Sequence, residues 1–411
     1  MLFEKEIAKT HIFYSPTDEK IIYTEQIRNR DMKAEEKSEG HHADIVYKDE
    51  DGNYYTRLEF EERLPFIYFR NMEMRGLLPM TIGNKTFDSV QIQKDRRVLE
   101  LAARRLDGKS HVNPVYPMLE SNPDQVALVL PADRFRMTAS TLEWIDSDLN
   151  AVDNEKTALY TNALVKEGFT FPSQGVWGNF TTFKPYDAGI FITDVMGKTF
   201  HILRYNDVPV VKQVPFPSGI VPQKILISET KDKVLYGLVL DTNNTVHLFH
   251  IQDYALTALP TPSYNPCKMD LKVLMDPLYI TVTYSDTDDI HVRVYDTFDL
   301  AQNCSQVHEV HNYIHRMSKT EVSTVSTMYD MLFPFSISLV AEDSTKGVIR
   351  MSHSPHYLTY CLPFNFLLAI MYMSLCRRKK SKSIALQSAF VCVIGIYMLI
   401  PMLLLEQYKQ R

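Results

Sequence analysis

Residues 189–203, GIFITDVMGKTFHIL, set two short runs of alternating apolar and polar residues on either side of an Asp- and Gly-containing turn. The layout returns at 236–249, YGLVLDTNNTVHLF, and at 279–293, YITVTYSDTDDIHVR. Period-two alternation across an Asp/Asn/Gly turn marks an antiparallel hairpin. His201, His247 and His291 take matching places, 46 and 44 residues apart. A period of about 45 residues filled with short strands fits propeller blades. A fourth, less regular unit runs through Ser336–Val340, the turn Ala341–Lys346 and Gly347–Met351. The pattern predicts a mainly β fold with helical insertions, arranged like a propeller; a stack of hairpins in an irregular sheet is the alternative. The repeated histidine is expected to face solvent or a groove between repeats, as a strand residue and not a ligand.

Working outward, residues 1–170 read as a mixed α/β part and 171–356 as the β-repeat part. Ile45–Tyr47 and Tyr54–Tyr55 flank a turn at Asp49–Asn53. Thr56 and Glu59 have capping-box spacing, with Thr at the N-cap and Glu three residues on. A helix over Arg57–Arg75 is expected to kink at Pro65 and stop at Gly76. A second helix is expected over Asn154–Glu167, stopped by Gly168. Arg28–His42, dense in charge, reads as an exposed loop.

The C-terminal end has a different character. Tyr357–Cys376 and Ile384–Leu405 contain no charged residue. A bilayer core about 30 Å thick needs about 20 apolar helical residues, so both segments are expected to be transmembrane helices. The loop between them, 377–383, carries Arg377, Arg378, Lys379, Lys380 and Lys382. Short basic loops stay cytoplasmic, which places the large domain on the far side, periplasmic in a Gram-negative bacterium. The opening residues Met1–Glu6 have no export-signal character. An apolar helix upstream of this start is therefore expected; a cytoplasmic domain is the alternative. Ala385, Ser388, Cys392 and Gly395 put small residues along one face of the second segment, suited to close helix contact.

Composition narrows the function classes. The formal net charge is −6, and seven Lys/Arg against one Glu from residue 377 onward leave residues 1–376 at −12. An acidic domain argues against nucleic acid. Of five cysteines, Cys267 and Cys304 lie outside the two apolar segments; both a bridge between them and two free thiols remain open. There is no CxxC pair, no GxSxG elbow and no phosphate-binding or dinucleotide fingerprint. His308, His311 and His315 would share one helix face, a weak metal-site candidate that lacks the Glu a zinc protease requires after the first His. A polar connector is the competing reading. Asp194, Asp241 and Asp286, Asp288 and Asp289 suit turn capping better than calcium, because they lack the order of a calcium loop. Trp177 and Phe180, beside two glycines, are a candidate binding groove or core residues.

Several segments together resemble a known family. They are Asp51-Gly52 with Tyr55 and Leu64-Pro65-Phe66, Arg75–Pro79, Tyr116–Ser121, Gly178–Thr182 and Tyr186–Phe191. They are similar to an uncharacterised domain family of Gram-negative, membrane-anchored proteins often encoded beside ABC-transporter components. The resemblance implies three membrane spans around a periplasmic domain, and it carries no catalytic residues. The expectation is a non-enzymatic, inner-membrane accessory protein without a cofactor. Its partners would be the lipid bilayer and ABC-transporter subunits or another envelope protein. A periplasmic ligand-sensing module and a membrane-tethered metal-dependent hydrolase are the alternatives.

Overall fold

In the computed structural model the described residues are 10–26, 45–106, 114–125, 127–286, 288–297, 306–317, 331–343, 346–353, 357–375 and 383–408. The chain divides into two compact units. One is Lys9–Met317 with Asp343–Lys346; the other comprises Met1–Ala8, Ser318–Glu342 and Gly347–Arg411. The boundary drawn at residue 170 from sequence falls inside the first unit.

That first unit is a succession of antiparallel meanders. β1 (Thr10–Ser15), β2 (Lys20–Gln26), β3 (Ile45–Asp49) and β4 (Tyr54–Tyr55) form the first sheet. α1 (Arg57–Arg63) follows with the capping box complete: Thr56 Oγ1 accepts from Glu59 N, and Glu59 Oε2 accepts from Thr56 N. One kinked helix was expected here, but two form. Leu64 leaves the helical region at φ −121° because the residue before a proline is disfavoured there, and the chain restarts as α2 (Phe69–Met74). A small hairpin, β5 (Met80–Ile82) and β6 (Lys85–Phe87), leads to α3 (Ser89–Asp95), β7 (Arg97–Leu101) and α4 (Ala103–Leu106).

The next sheet has three strands, β8 (Arg134–Met137), β9 (Leu142–Asp146) and β10 (Ala151–Asp153), followed by α5 (Asn154–Lys166). Asp153 caps α5 through its side chain, which accepts from Lys156 N. The repeats then appear as four-stranded meanders. β11 (Gly175–Gly178), β12 (Ile190–Thr193), β13 (Thr199–Tyr205) and β14 (Val208–Gln213) make one. β15 (Pro222–Ile227), β16 (Leu235–Asp241), β17 (Val246–His250) and β18 (Leu256–Leu259) make the next. β19 (Asp270–Met275), β20 (Tyr279–Ser285), β21 (Asp289–Asp296) and β22 (Glu309–Arg316) make the last, with β7 added antiparallel to β19 so that Leu101 faces Leu271.

The hairpins centred on the three quoted stretches are β12–β13, β16–β17 and β20–β21, with Ile190 opposite Ile202, Leu238 opposite Leu248 and Val282 opposite Arg293. Their turns use carboxylates as expected. Asp194 accepts from Lys198 N, Asp241 from Asn243 N and Thr245 N, and Asp286 from Asp288 N and Asp289 N.

Each sheet packs on the next through its own apolar cluster. Trp144, Tyr160, Ile192 and Phe200 join the three-stranded sheet and α5 to β11–β14. Phe191, Ile225, Val239 and Phe249 join that sheet to β15–β18. Leu240, Leu248, Val273 and Val282 continue to β19–β22, and Tyr14, Ile21 and Val292 bring in the first sheet. Each fully buried aliphatic or aromatic side chain contributes about 1.5–3 kcal/mol. Among the described residues, no sheet closes on itself as a barrel. Among the described residues no closed propeller ring is found; the apolar clusters link the first sheet to β19–β22, and none of them joins it to the three-stranded sheet.

The second unit contains the hairpin β23 (Phe335–Asp343) and β24 (Lys346–His353), a π-helical turn Tyr357–Cys361, and helices α6 (Leu362–Leu375), α7 (Ser383–Ile394) and α8 (Ile396–Tyr408). Among the described residues, no helix is by itself long and apolar enough to cross a membrane. The uninterrupted second span expected over 384–405 is broken at Gly395, which has φ +68°. A Cβ there would come within 2.6 Å of Asn365 Oδ1, so glycine admits both the backbone geometry and the neighbour. Ala369, Tyr372, Val391 and Leu399 form the apolar contact among the three helices.

Candidate functional site

The histidine cluster is not helical. His308 precedes β22, and His311 and His315 lie on it, where strand pairing to β21 replaces the four-residue helical spacing. His311 Nε2 lies 2.8 Å from Glu50 Oε2, and His315 Nε2 lies 3.4 Å from Glu25 Oε1; both pairs cross to the first sheet. His315 and Lys48 hold the Glu25 carboxylate below its ordinary range. His308 is largely exposed, 4.0 Å from Asp296. Among the described residues, no three His, Cys, Asp or Glu side chains converge as a metal site.

Trp177 and Phe180 are buried on opposite sides of their segment. Trp177 belongs to the cluster shared with β15–β18, and Phe180 to the one shared with the three-stranded sheet. The ring that does project is Phe183, 93% exposed. In the helical unit Ser388 and Gly395 are buried and Cys392 partly so, while Ala385 is exposed and Val391 takes a central place in the contact. Ser388 Oγ donates to Ile384 O within its own helix. Cys267 is exposed, its Sγ 3.6 Å from Leu106 O. Its proposed partner Cys304 and the basic residues Arg377, Arg378, Lys379, Lys380 and Lys382 lie outside the described residues.

The repeated histidines do not face solvent in the first two copies. His201 is buried; its Nε2 donates to Ala188 O at 2.6 Å, which leaves Nδ1 to accept from the Tyr254 hydroxyl at 2.9 Å. Burial pushes its pKa down to about 4. His247 is also buried, against Asp241 at 3.1 Å.

Two polar groupings escaped the sequence reading. The first is a buried ionic knot. Lys184 Nζ donates to Asn179 O at 2.6 Å and to Asp187 Oδ1 and Glu229 Oε1, each at 2.7 Å. Ser121 Oγ and Gly189 N donate to Asp187 Oδ2, and Asn179 Nδ2 and Ala188 N donate to Glu229. One ammonium thus stands between two carboxylates whose oxygens also accept from neighbouring N–H and O–H groups, and these bonds tie the β11–β12 connection to the segment that follows β15. Ser121, Asn179, Asp187, Ala188 and Gly189 come from the Tyr116–Ser121, Gly178–Thr182 and Tyr186–Phe191 segments quoted for the resemblance, whereas Lys184 and Glu229 lie outside them.

The second grouping is incompletely paired. A cavity of about 620 Å³ is lined by Tyr68, Arg70, Asn71, Gln93, Arg96 and Arg97, among others. Arg96 ends α3 and Arg97 opens β7, so the helix-to-strand change brings two consecutive arginines to the lining of the same cavity. Arg97 is buried and paired with Asp232 through Nη2, yet its Nε and Nη1 have no hydrogen-bond partner. Arg96 Nε is likewise buried and unpartnered. Burial pulls the pKa of both groups down, and Arg70 lowers that of Arg96 further. Asp95 and Asp232 offset Arg97, whereas Arg96 is opposed by a second arginine. No motif announced the pair, because adjacent arginines at a helix end read as a solvated step.

A family model described as a domain of unknown function (DUF4857) matches residues 11–295. The chain belongs to that family. The match begins in β1 and ends in β21, so the arginine-lined cavity and the ionic knot both lie within DUF4857. No curated protein matches the chain.

Proposed function

We propose that this DUF4857 protein is a membrane-anchored, non-catalytic accessory protein whose sheet-rich unit is a docking and ligand-sensing module. The observation that carries the anchoring is the apolar surface of its C-terminal helices. Leu358, Phe366, Leu367, Leu375, Leu386, Val393, Ile400 and Leu404 are each more than half exposed. Exposed apolar patches of that extent mark contact with lipid or protein. Tyr357–Leu375 runs as a π-helical turn continued by an α-helix over 19 residues, about 28 Å at 1.5 Å per residue, close to a bilayer core. α7 and α8 follow end to end through Gly395. On this reading the basic loop stays cytoplasmic and the sheet unit lies on the other side, periplasmic in a Gram-negative cell. The successive packed meanders, propeller-like in strand layout without a closed ring, would present strand ends to an ABC-type transport subunit or another envelope protein.

The test is alkaline carbonate extraction of membranes from cells producing the full chain or a chain ending at residue 356. The full chain should stay in the membrane pellet and the shortened one should leave it. A full chain released by carbonate would end the proposal.

A further inference from the structure

Arg96 and Arg97, both in the lining of this cavity, together have three buried guanidinium nitrogens without a hydrogen-bond partner. Buried guanidinium groups are ordinarily paired, because an unsatisfied charged donor carries its whole desolvation penalty. Here Arg97 is more than nine-tenths buried with two of its three nitrogens unpartnered, and Arg96 Nε beside it is in the same state. Arg70 lines the same cavity and opposes Arg96, so a third guanidinium adds positive charge. We infer that the cavity bounded by Arg70, Arg96 and Arg97 is a binding site for a phosphate-class oxyanion.

The chemistry is specific in three respects. Guanidinium groups offer planar, forked donors that match the oxygens of phosphate better than an ammonium does. The volume, about 620 Å³, lies in the range of small-molecule sites and exceeds what bare phosphate fills. Ile67, Tyr68 and Phe69 line the remainder, giving apolar and aromatic surface to the organic part of a phosphate ester. Asn71 and Gln93 add amide groups at the lining. The arginines come from the junctions of α2, α3 and β7, and β7 is held in its sheet by β19 from far along the chain, so the site exists only in the assembled unit.

The phosphate group can come from a soluble ester or from a lipid headgroup, and the experiment separates the two. The full chain in neutral detergent is titrated with inorganic phosphate and with glycerol 3-phosphate by calorimetry. It is then reconstituted in neutral bilayers with and without phosphatidic acid, and its melting temperature is read. Saturable binding of either soluble probe assigns a soluble ester. Stabilisation by phosphatidic acid alone assigns a headgroup.

Arg96→Gln and Arg70→Gln each remove a charged donor while leaving the Arg97–Asp232 pair intact. Each should weaken binding about tenfold or more, with an unchanged circular dichroism spectrum. Arg104→Gln, outside this cavity's lining, should bind like the natural chain. The inference falls if neither soluble probe nor phosphatidic acid produces a saturable response. It falls equally if Arg96→Gln and Arg70→Gln, both folded, bind as tightly as the natural chain.

Discussion

His201 lies flat against Phe191 across the β12–β13 pair, with ring centroids 4.3 Å apart and planes within 4°. The third repeat reproduces the arrangement with His291 on Tyr284, at 4.9 Å and 6°. In the second the facing residue is Val239, and His247 turns to Asp241 instead. The matching histidines thus make a cross-strand stack in two copies and a turn contact in the other.

Acid sensitivity follows from the buried imidazoles. Burial pushes both His201 and His250 to about 4, below the ordinary 6.5. Below pH 6.5 the unfolded chain takes up protons that the folded one refuses. Their contribution is therefore full above pH 6.5 and declines as pH falls towards 4, by up to about 3 kcal/mol for each. Urea midpoints of the natural chain should drop between pH 7 and 4.5, and His201→Gln should flatten that slope by about one proton. An unaltered slope contradicts the assignment.

Asp276 has the opposite sign. It is buried, and desolvation raises its pKa from 3.8 to about 7, although Leu278 N and Tyr279 N both donate to Oδ1. Its contribution is full below pH 3.8 and is lost as pH rises through 7. Asp276→Asn keeps an oxygen for both donors and removes the charge. The variant should be more stable by about 1–3 kcal/mol at pH 8 and nearly equal at pH 4; a difference independent of pH refutes this.

Lys184 holds two carboxylates in the buried knot. Lys184→Met leaves Asp187 and Glu229 facing each other without a cation, and should destabilise by about 3–5 kcal/mol in urea unfolding. Adding Glu229→Gln should recover part of that loss. Additive effects of the two changes would show that they are not coupled.

Gly395→Ala meets two obstacles, the left-handed backbone and the Asn365 side chain. The backbone part should cost about 1–2 kcal/mol. Asn365→Ala in the same chain should relieve the steric part alone. Unfolding of the full chain in detergent measures both, and a harmless Gly395→Ala would place the bend elsewhere.

What the sequence made legible was local. The hairpins were readable because two short strand-forming runs, Ile190–Thr193 and Thr199–Tyr205, flank a carboxylate that caps its own turn. The start of α1 was readable because Thr56 and Glu59 satisfy each other within four residues. Pairings that join distant segments were not. Nothing in Arg97–Leu101 says that its partner is Asp270–Met275, and nothing in His311 or His315 points to Glu50 and Glu25. Trp177 and Phe180 were readable as buried but not as members of separate clusters, because that division depends on which sheets flank β11.

The pairing of β7 with β19 imposes an order on synthesis. A nascent chain that has extruded Leu101 must keep that strand without its neighbour until Leu271 leaves the ribosome. Contacts so far apart in the chain slow folding and leave an unprotected edge meanwhile. Helpers that shield nascent chains would be needed most in the interval before residue 275, so truncations ending there should aggregate far more readily than the entire polypeptide.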